Sequence, residues 1–213
     1  MTRKITGLKV QKKNPNRVNV YLDGEFAFGL SRITAAWLEI GLPLDEEKIL
    51  ELQSEDEAEM AYQKAIHFLS YRPRSRREIM DNLSKHDYSM EASGKVVERL
   101  EQQGLVDDDA FAKTWVENRS EFRPRGRRAL RMELRQKGIE PDLIDSVLED
   151  LDEDCLAYRA AIKQSRKYMD LDWQDYRKKM IAYLARRGLN YGIAADVVQK
   201  VWLEEMADQE LEG

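Results

Sequence analysis

The sequence predicts a mainly α-helical protein: three tandem three-helix repeats in an elongated array, preceded by a small N-terminal antiparallel β-hairpin or meander domain. Three observations predict it. Residues 1–30 alternate apolar and polar positions with the period of a strand. From Asp45 onward the apolar period is helical throughout. The block "YRPRSRREI" at Tyr71–Ile79 returns as "FRPRGRRAL" at Phe122–Leu130, the mark of an internal repeat.

Composition sets the frame. Of 213 residues, 42% are hydrophobic, enough for a core, and 35% are charged, against about 25% in an average soluble domain. The net charge is -5. No apolar run is long enough to span a bilayer, and the start, "MTRKITGLKVQKKNPN", lacks the apolar core of a signal peptide. The single cysteine, Cys155, excludes an internal disulfide framework and fits a reducing, cytoplasmic location. With only His67 and His86 beside it, a structural zinc site has too few ligands. No Gly-rich phosphate loop, nucleophile elbow or metal-ligand spacing occurs, so no enzyme and no cofactor are expected.

The N-terminal domain is placed at 1–44. Ile5, Leu8 and Val10 give a first strand, "KKNPN" a loop, and Val18, Val20 and Leu22 a second strand. Asp23-Gly24 suits a type I′ turn, which needs positive φ at both central residues. Phe26, Phe28 and Leu30 continue on a third strand. Such a meander is marginal alone, so a helix over about 31–39 is expected to cover it through Ile33, Trp37 and Leu38. Asp45–Glu59 then carries eight acids and one lysine. It reads as a solvated helical linker at 45–55.

The repeats follow at 56–104, 105–152 and 153–206, before an acidic tail at 207–213. Setting Leu83, Leu134 and Leu184 level brings Ile79, Leu130 and Met180 together. It also aligns Val97, Leu148 and Val198, and Gly138 with Gly188. A glycine there, behind Lys137 or Arg187, reads as the left-handed residue that ends a helix. The first unit has Asp87 at this place, a residue that tolerates the same conformation. "GLVDDDAFA" ends one unit and caps the next helix with its aspartates; as a metal site it fails, because consecutive helix-start residues do not converge. Trp115 and Trp202 fall in core stripes. Trp173 and Tyr176 start a helix, where an exposed recognition role stands beside a packing one. Cys155 is expected to pack between units.

The candidate site is the pair of arginine blocks: Arg72, Arg74, Arg76 and Arg77, then Arg123, Arg125, Arg127 and Arg128, with Arg131 and Arg135. Two readings stand. Ser75 with Glu78 forms a capping box, and the arginines then punctuate a helix on a solvated face, paired with acids of the next helix. Against that, cations oppose the helix dipole at an N-terminus, and a helix start ringed by arginine is an anion site. In the second block Gly126 and Ala129 replace the serine and the glutamate, so the cap weakens while the arginines stay. Lys113–Lys137 holds nine basic residues and three acids, and Glu140–Asp154 eight acids and no base.

"RPRSRREIMDNL" at Arg72–Leu83, "GLVDDDAFAKTWVENR" at Gly104–Arg119 and "RPRGRRALRMELRQKGI" at Arg123–Ile139 together resemble the RecX family of bacterial RecA regulators. The resemblance implies tandem three-helix repeats, binding to the RecA filament on single-stranded DNA, and inhibition of its ATPase, strand-exchange and coprotease activities in DNA repair and the SOS response. It implies no catalytic residues. A monomer is expected, with weak direct DNA contact as an accompaniment. The third unit departs from the pattern: Trp173, Gln174 and Asp175 stand where the others have Arg-Pro-Arg. A stand-alone nucleic-acid-binding module is the alternative, and an acidic pI of 5.3 weighs against it.

Overall fold

The computed structural model describes residues 2–212, with side chains through residue 207. The chain divides into two compact units, residues 1–106 and 107–213.

The first unit opens with an antiparallel sheet of order β3-β2-β1-β4, from β1 (Arg3–Val10), β2 (Arg17–Leu22), β3 (Glu25–Ser31) and β4 (Pro43–Leu44). The hairpin turns at Asp23 and Gly24, φ 52° and 90°, as the sequence requires. The Asp23 carboxylate accepts the backbone N–H of Lys4 and the Arg3 guanidinium, each at 3.1 Å. These two bonds hold its pKa below the usual aspartate value. Ile5, Val20, Leu22, Phe28 and Leu30 are buried, but Phe26 is exposed. A bulge opposite Val20 and Tyr21 shifts the register there, and a bulge re-aims the neighbouring side chain.

The helix expected over 31–39 does not form. Hydrogen bonds run from Ala36 N–H to the Ile33 carbonyl and from Leu38 N–H to that of Ala35, making irregular turns. The segment is pinned at both ends, by Ser31 N–H on Asp56 and by Gly41 N–H on the Ile5 carbonyl. Ala35 and Leu38 cover the sheet, while Ile33 and Trp37 point outward. The short strand β4, unforeseen in the sequence, closes this coil against β1.

One helix, α1 (Glu46–Leu69), then runs through the acidic segment into the first repeat without a break. Leu52 packs with the sheet, and Ala61 and Ala65 pack with the repeat. Asp56 is buried, accepting from Ser31 N–H and from Arg17 at 3.0 Å. The segment read as solvated is thus a helix with one buried face; of its other acids, Glu57 accepts the Ser89 N–H at 2.6 Å and Glu59 pairs with Arg99 at 3.0 Å, while Glu47, Glu51 and Glu55 are exposed. With α2 (Arg76–Ser84) and α3 (Met90–Gln102), α1 completes the first repeat.

The second unit holds α4 (Asp108–Phe122), α5 (Arg127–Gln136), α6 (Pro141–Val147), α7 (Glu153–Ser165), α8 (Trp173–Arg186) and α9 (Tyr191–Glu212). The acidic tail expected at 207–213 lies, beyond residue 207, outside the described side chains. Ile79, Leu130 and Met180 are fully buried, as are Leu83, Leu134 and Leu184, so the aligned positions do form the cores. Each second helix ends alike. Asp87, Gly138 and Gly188 have φ of 62°, 78° and 85°, and the following N–H returns to the Leu83, Leu134 and Leu184 carbonyls. That is the bond pattern of a Schellman motif. Among the described residues no helix is long and apolar enough to cross a membrane.

The aromatic residues divide. Tyr176 is fully buried, its ring 4.6 Å from that of Trp202, with Trp173 5.5 Å from Trp202. Of the two roles open to Trp173 and Tyr176, packing is the one observed. Cys155, expected to be packed, is exposed. It lies in the first turn of α7, with Asp152 capping its backbone N–H at 2.9 Å, and the buried face of α7 starts at Leu156.

Two predictions follow the packing. A Cβ on Gly188 would meet Ala129 at 2.5 Å, whereas one on Gly104, also at positive φ, meets open space. Gly104→Ala should cost about 1–2 kcal/mol for its backbone. Gly188→Ala should cost about 1–3 kcal/mol more from overpacking, read as the gap between the two denaturant midpoints. Burial, then the Glu205 carboxylate, push the Tyr176 hydroxyl up to about 12, and that hydroxyl is buried without a hydrogen-bond partner. An unfolded tyrosine titrates near about 10. Between these values the unfolded chain has lost a proton that the fold keeps, so stability falls as pH rises. Tyr176→Phe should flatten that alkaline loss in melts between the two values, and should leave stability at neutral pH equal or higher.

Candidate functional site

The first block is folded back on its own repeat. Ser75 and Glu78 make the capping box, Glu78 N–H to Ser75 Oγ at 3.2 Å and Ser75 N–H to Glu78 Oε2 at 3.4 Å. Arg72 forks onto Glu78 at 2.8 and 3.1 Å, and Arg76 grips both oxygens of Glu101 at 2.7 and 2.8 Å. The Arg74 guanidinium lies 3.8 Å over the Phe68 ring. Burial, and then the charge of Arg72, draw its pKa below the ordinary arginine value. Arg77 stands 3.8 Å from Asp81 and is well exposed.

The second block sits in a different environment. Gly126 donates its N–H to the Arg187 carbonyl at 2.8 Å, and Arg187 donates to the Pro124 carbonyl at 3.0 Å. A Cβ at Gly126 would lie 2.6 Å from the Gly188 carbonyl oxygen. Glycine is therefore demanded by close backbone approach. The cap is not lost with the serine: Glu153 of α7 accepts the Arg127 N–H at 2.9 Å. The local cap is weaker, as the sequence implies, since Gly126 makes no side-chain cap bond and the first turn holds no acid, and a carboxylate from another helix stands in for it. Both helix starts, proposed from sequence as anion sites, already hold an internal carboxylate, Glu78 in one and Glu153 in the other.

The second block's side chains divide into paired and unpaired. Arg127 lies 3.7 Å from Glu153 and donates to the carbonyls of Glu149 and Leu151. Arg131 pairs with Asp145. Glu133 collects three groups: Trp115 Nε1 and Arg119 at 2.8 Å each, and Arg125 at 3.0 Å in an ion pair whose Nε–H makes no hydrogen bond. Trp115 is half-buried and packs against the core of the second repeat, its ring stacked on Phe111 and covered by Arg119 at 4.2 Å. Arg123, Arg128 and Arg135 are exposed, and among the described residues no partner is recorded for them.

Two surface grooves of the second unit gather these cations. One, of about 350 Å³, is lined by Arg123, Arg125, Tyr183, Arg186 and Arg187. The other, of about 510 Å³, is lined by Arg127, Arg128, Arg131 and Arg135 with the carboxylate of Glu153 among them, and by Met132, Gly188, Leu189 and Asn190. Arg186, Arg187 and Tyr183 belong to the third repeat and are not among the site residues expected from the sequence, where Arg187 figures only at a helix end. The "ARRG" at Ala185–Gly188 was the available signal, since it precedes the aligned glycine. This arrangement can hold carboxylate or phosphate oxygens by charge-assisted hydrogen bonds. Among the described residues no cluster of side chains could hold a metal ion.

Comparison with known proteins places the chain. The RecX N-terminal domain matches residues 3–45, the first RecX three-helix domain residues 61–100, and the second residues 107–148. The chain is 31% identical to regulatory protein RecX of Oceanobacillus iheyensis, over 99% of this chain and 81% of that one. It is 30% identical to regulatory protein RecX of Bacillus subtilis, over 98% and 81%. A crystal structure of regulatory protein RecX superposes with a TM-score of 0.71 at 29% identity, covering 90% of this chain and 96% of the other. One of RecX from Lactobacillus salivarius gives 0.62 at 22% identity, covering 70% and 99%. The matched segments carry both arginine blocks, the sheet and the first two repeats, and the chain belongs to the RecX family of regulatory proteins.

Proposed function

We propose that this protein binds the RecA filament on single-stranded DNA and inhibits it, restraining ATP hydrolysis, strand exchange and repressor cleavage in DNA repair and the SOS response. Membership of a regulatory family supports a regulator; the binding surface rests on one observation. Arg123, in one groove with Arg186, and Arg128 and Arg135, in the other, lie exposed with no partner recorded among the described residues, in an otherwise acidic protein. Cations left outside internal pairs are free to meet an anionic polymer without breaking the fold. The ten arginines named from sequence then differ in weight. Arg123, Arg128 and Arg135 form the contact, with Arg77 as an exposed accessory, while Arg72, Arg74, Arg76, Arg125, Arg127 and Arg131 hold it in place. The protein acts as a monomer in the cytoplasm and needs no cofactor.

A second reading draws on Tyr183 between four arginines, a combination that suits a stacked base and its phosphates: a stand-alone single-strand binder. The two separate by experiment. Arg123→Glu, Arg128→Glu and Arg135→Glu together should leave the melting temperature within a few degrees. They should also raise the concentration for half-inhibition of the DNA-dependent RecA ATPase by at least about tenfold. Arg76→Glu should instead set two acids against each other at Glu101 and lower the melting temperature. Undiminished inhibition by a folded triple variant would remove the arginines from the contact. Equal affinity for filaments and for bare single strands, both falling with salt at about -0.7 log units per phosphate, would favour the second reading.

A further inference from the structure

Helix α8 is longer than its counterparts. It has 14 residues, against 10 in α5 and 9 in α2. The excess is one turn at its start, Trp173 to Tyr176, where the first two repeats have the coil of their arginine blocks. With Leu184 level with Leu134 and Leu83, Arg177 and Lys178 fall at the places of Arg127 and Arg128, and of Arg76 and Arg77. The cationic pair is thus present in all three repeats, and its surroundings change. Arg76 grips Glu101, and Arg127 lies beside Glu153. Arg177 donates instead to the Tyr191 hydroxyl at 3.0 Å. Lys178 is exposed, with no partner recorded among the described residues.

The added turn brings an aromatic ring to the face of this pair. Residues four apart share a helix face, so Trp173, Arg177 and Ile181 form one row, and Gln174 and Lys178 the next. Tyr191 of α9, 65% exposed, closes the other side. These six residues line one open groove of about 660 Å³ that has no carboxylate in its lining. Two acids stand near it in sequence. Asp172 is spent on the helix start, accepting the N–H groups of Gln174 and Asp175 at 2.8 and 3.1 Å. Asp175 is exposed outside the groove, one charge against the two cations within it. Trp173 packs on Trp202, yet it stays half-buried and its remaining surface lines the groove. Another repeat, or a second copy of the chain, finds no seat here like the one between the second and third repeats. There Gly126 admits the Gly188 backbone, whereas Tyr176, fully buried within the added turn, holds the aligned place.

Aromatic side chains interleaved with cations suit a flat ring carried on a polyanion. A nucleobase stacks on such rings whatever the sequence, and its phosphates take charge-assisted hydrogen bonds. We propose that the α8 groove at Trp173, Arg177, Lys178 and Tyr191 is a nucleotide subsite, which stacks one base of a single-stranded nucleic acid and holds an adjoining phosphate on its two cations. The site goes beyond the filament reading, because it gives the strand itself a contact that does not need RecA. It also gives a role to the place where the third repeat departs from the arginine blocks.

The test titrates the full chain at low salt with a short oligodeoxythymidine, an abasic strand of equal length and an oligoglutamate of equal charge. Wild-type protein should prefer the oligodeoxythymidine to the abasic strand by at least about fivefold. Tyr191→Ala, at an exposed position, should lose at least about fivefold on the oligodeoxythymidine and little on the abasic strand. Tyr191→Phe, which keeps the ring, should bind as the wild type does. Lys178→Ala should weaken both strands and lower the salt slope by about 0.7. Equal wild-type affinity for the two strands overturns the site, as does an oligodeoxythymidine affinity untouched by Tyr191→Ala or by Lys178→Ala. So does an equal loss on both strands in Tyr191→Ala, since the tyrosine then only positions Arg177. Oligoglutamate bound as tightly as the oligodeoxythymidine, and released by Tyr191→Ala, overturns it in favour of an acidic protein partner. Inhibition of the RecA ATPase by the wild type is read separately; its absence overturns the filament reading and leaves this site to be decided by the strands.

Discussion

Glu153 accepts the first backbone N–H of α5 at 2.9 Å, and one residue earlier Gly126 donates to the Arg187 carbonyl at 2.8 Å. Through these two bonds the start of α5 is finished by elements of the third repeat, not by its own sequence. Backbone meets backbone where a Cβ would stand 2.6 Å from an oxygen. A buried donor without a partner costs about 1–3 kcal/mol. The second block therefore holds its arginines in place only while the turn after α8 stays against it. The same turn carries Arg186 and Arg187 to Arg123 and Arg125, so the contact that holds the start of α5 also assembles a cationic groove, while Glu153 of α7 supplies the cap.

The two arginine blocks thus share letters but not circumstances. In the first, serine and glutamate complete the helix start locally, and neighbouring carboxylates absorb most of the charge. In the second, local acids are removed and the capping carboxylate comes from a distant helix. Among the described residues three guanidinium groups then have no recorded partner. Exposed ion pairs contribute little to stability, typically about 0–1 kcal/mol. The pairs matter more for where they leave charge available.

The sheet domain and the first repeat share a helix. α1 places Leu52 in one core and Ala61 and Ala65 in another, about three turns further along. Asp56 stands between them, tied to Arg17 and Ser31 of the sheet. A helix continuous through both cores fixes the sheet's register against the repeat, as a flexible linker would not.

Periodicity by itself determined most of the fold. Ile79, Leu130 and Met180, with Leu83, Leu134 and Leu184, could be aligned because a repeated core needs the same apolar atoms at the same places. Asp23-Gly24 and the residues after each second helix were legible because positive φ admits few residue types. The coil after β3, the bulge that exposes Phe26, and the partners of each arginine were not legible. They depend on groups distant in sequence: Gly41 N–H on Ile5, Tyr21 opposite Phe26, Glu153 on Arg127. A charge in a sequence declares its sign but not its neighbours. Tertiary structure alone decided that Arg76 and Arg127 are spent inside the molecule while Arg123, Arg128 and Arg135 remain outside it, because pairing is a matter of distance and not of order along the chain.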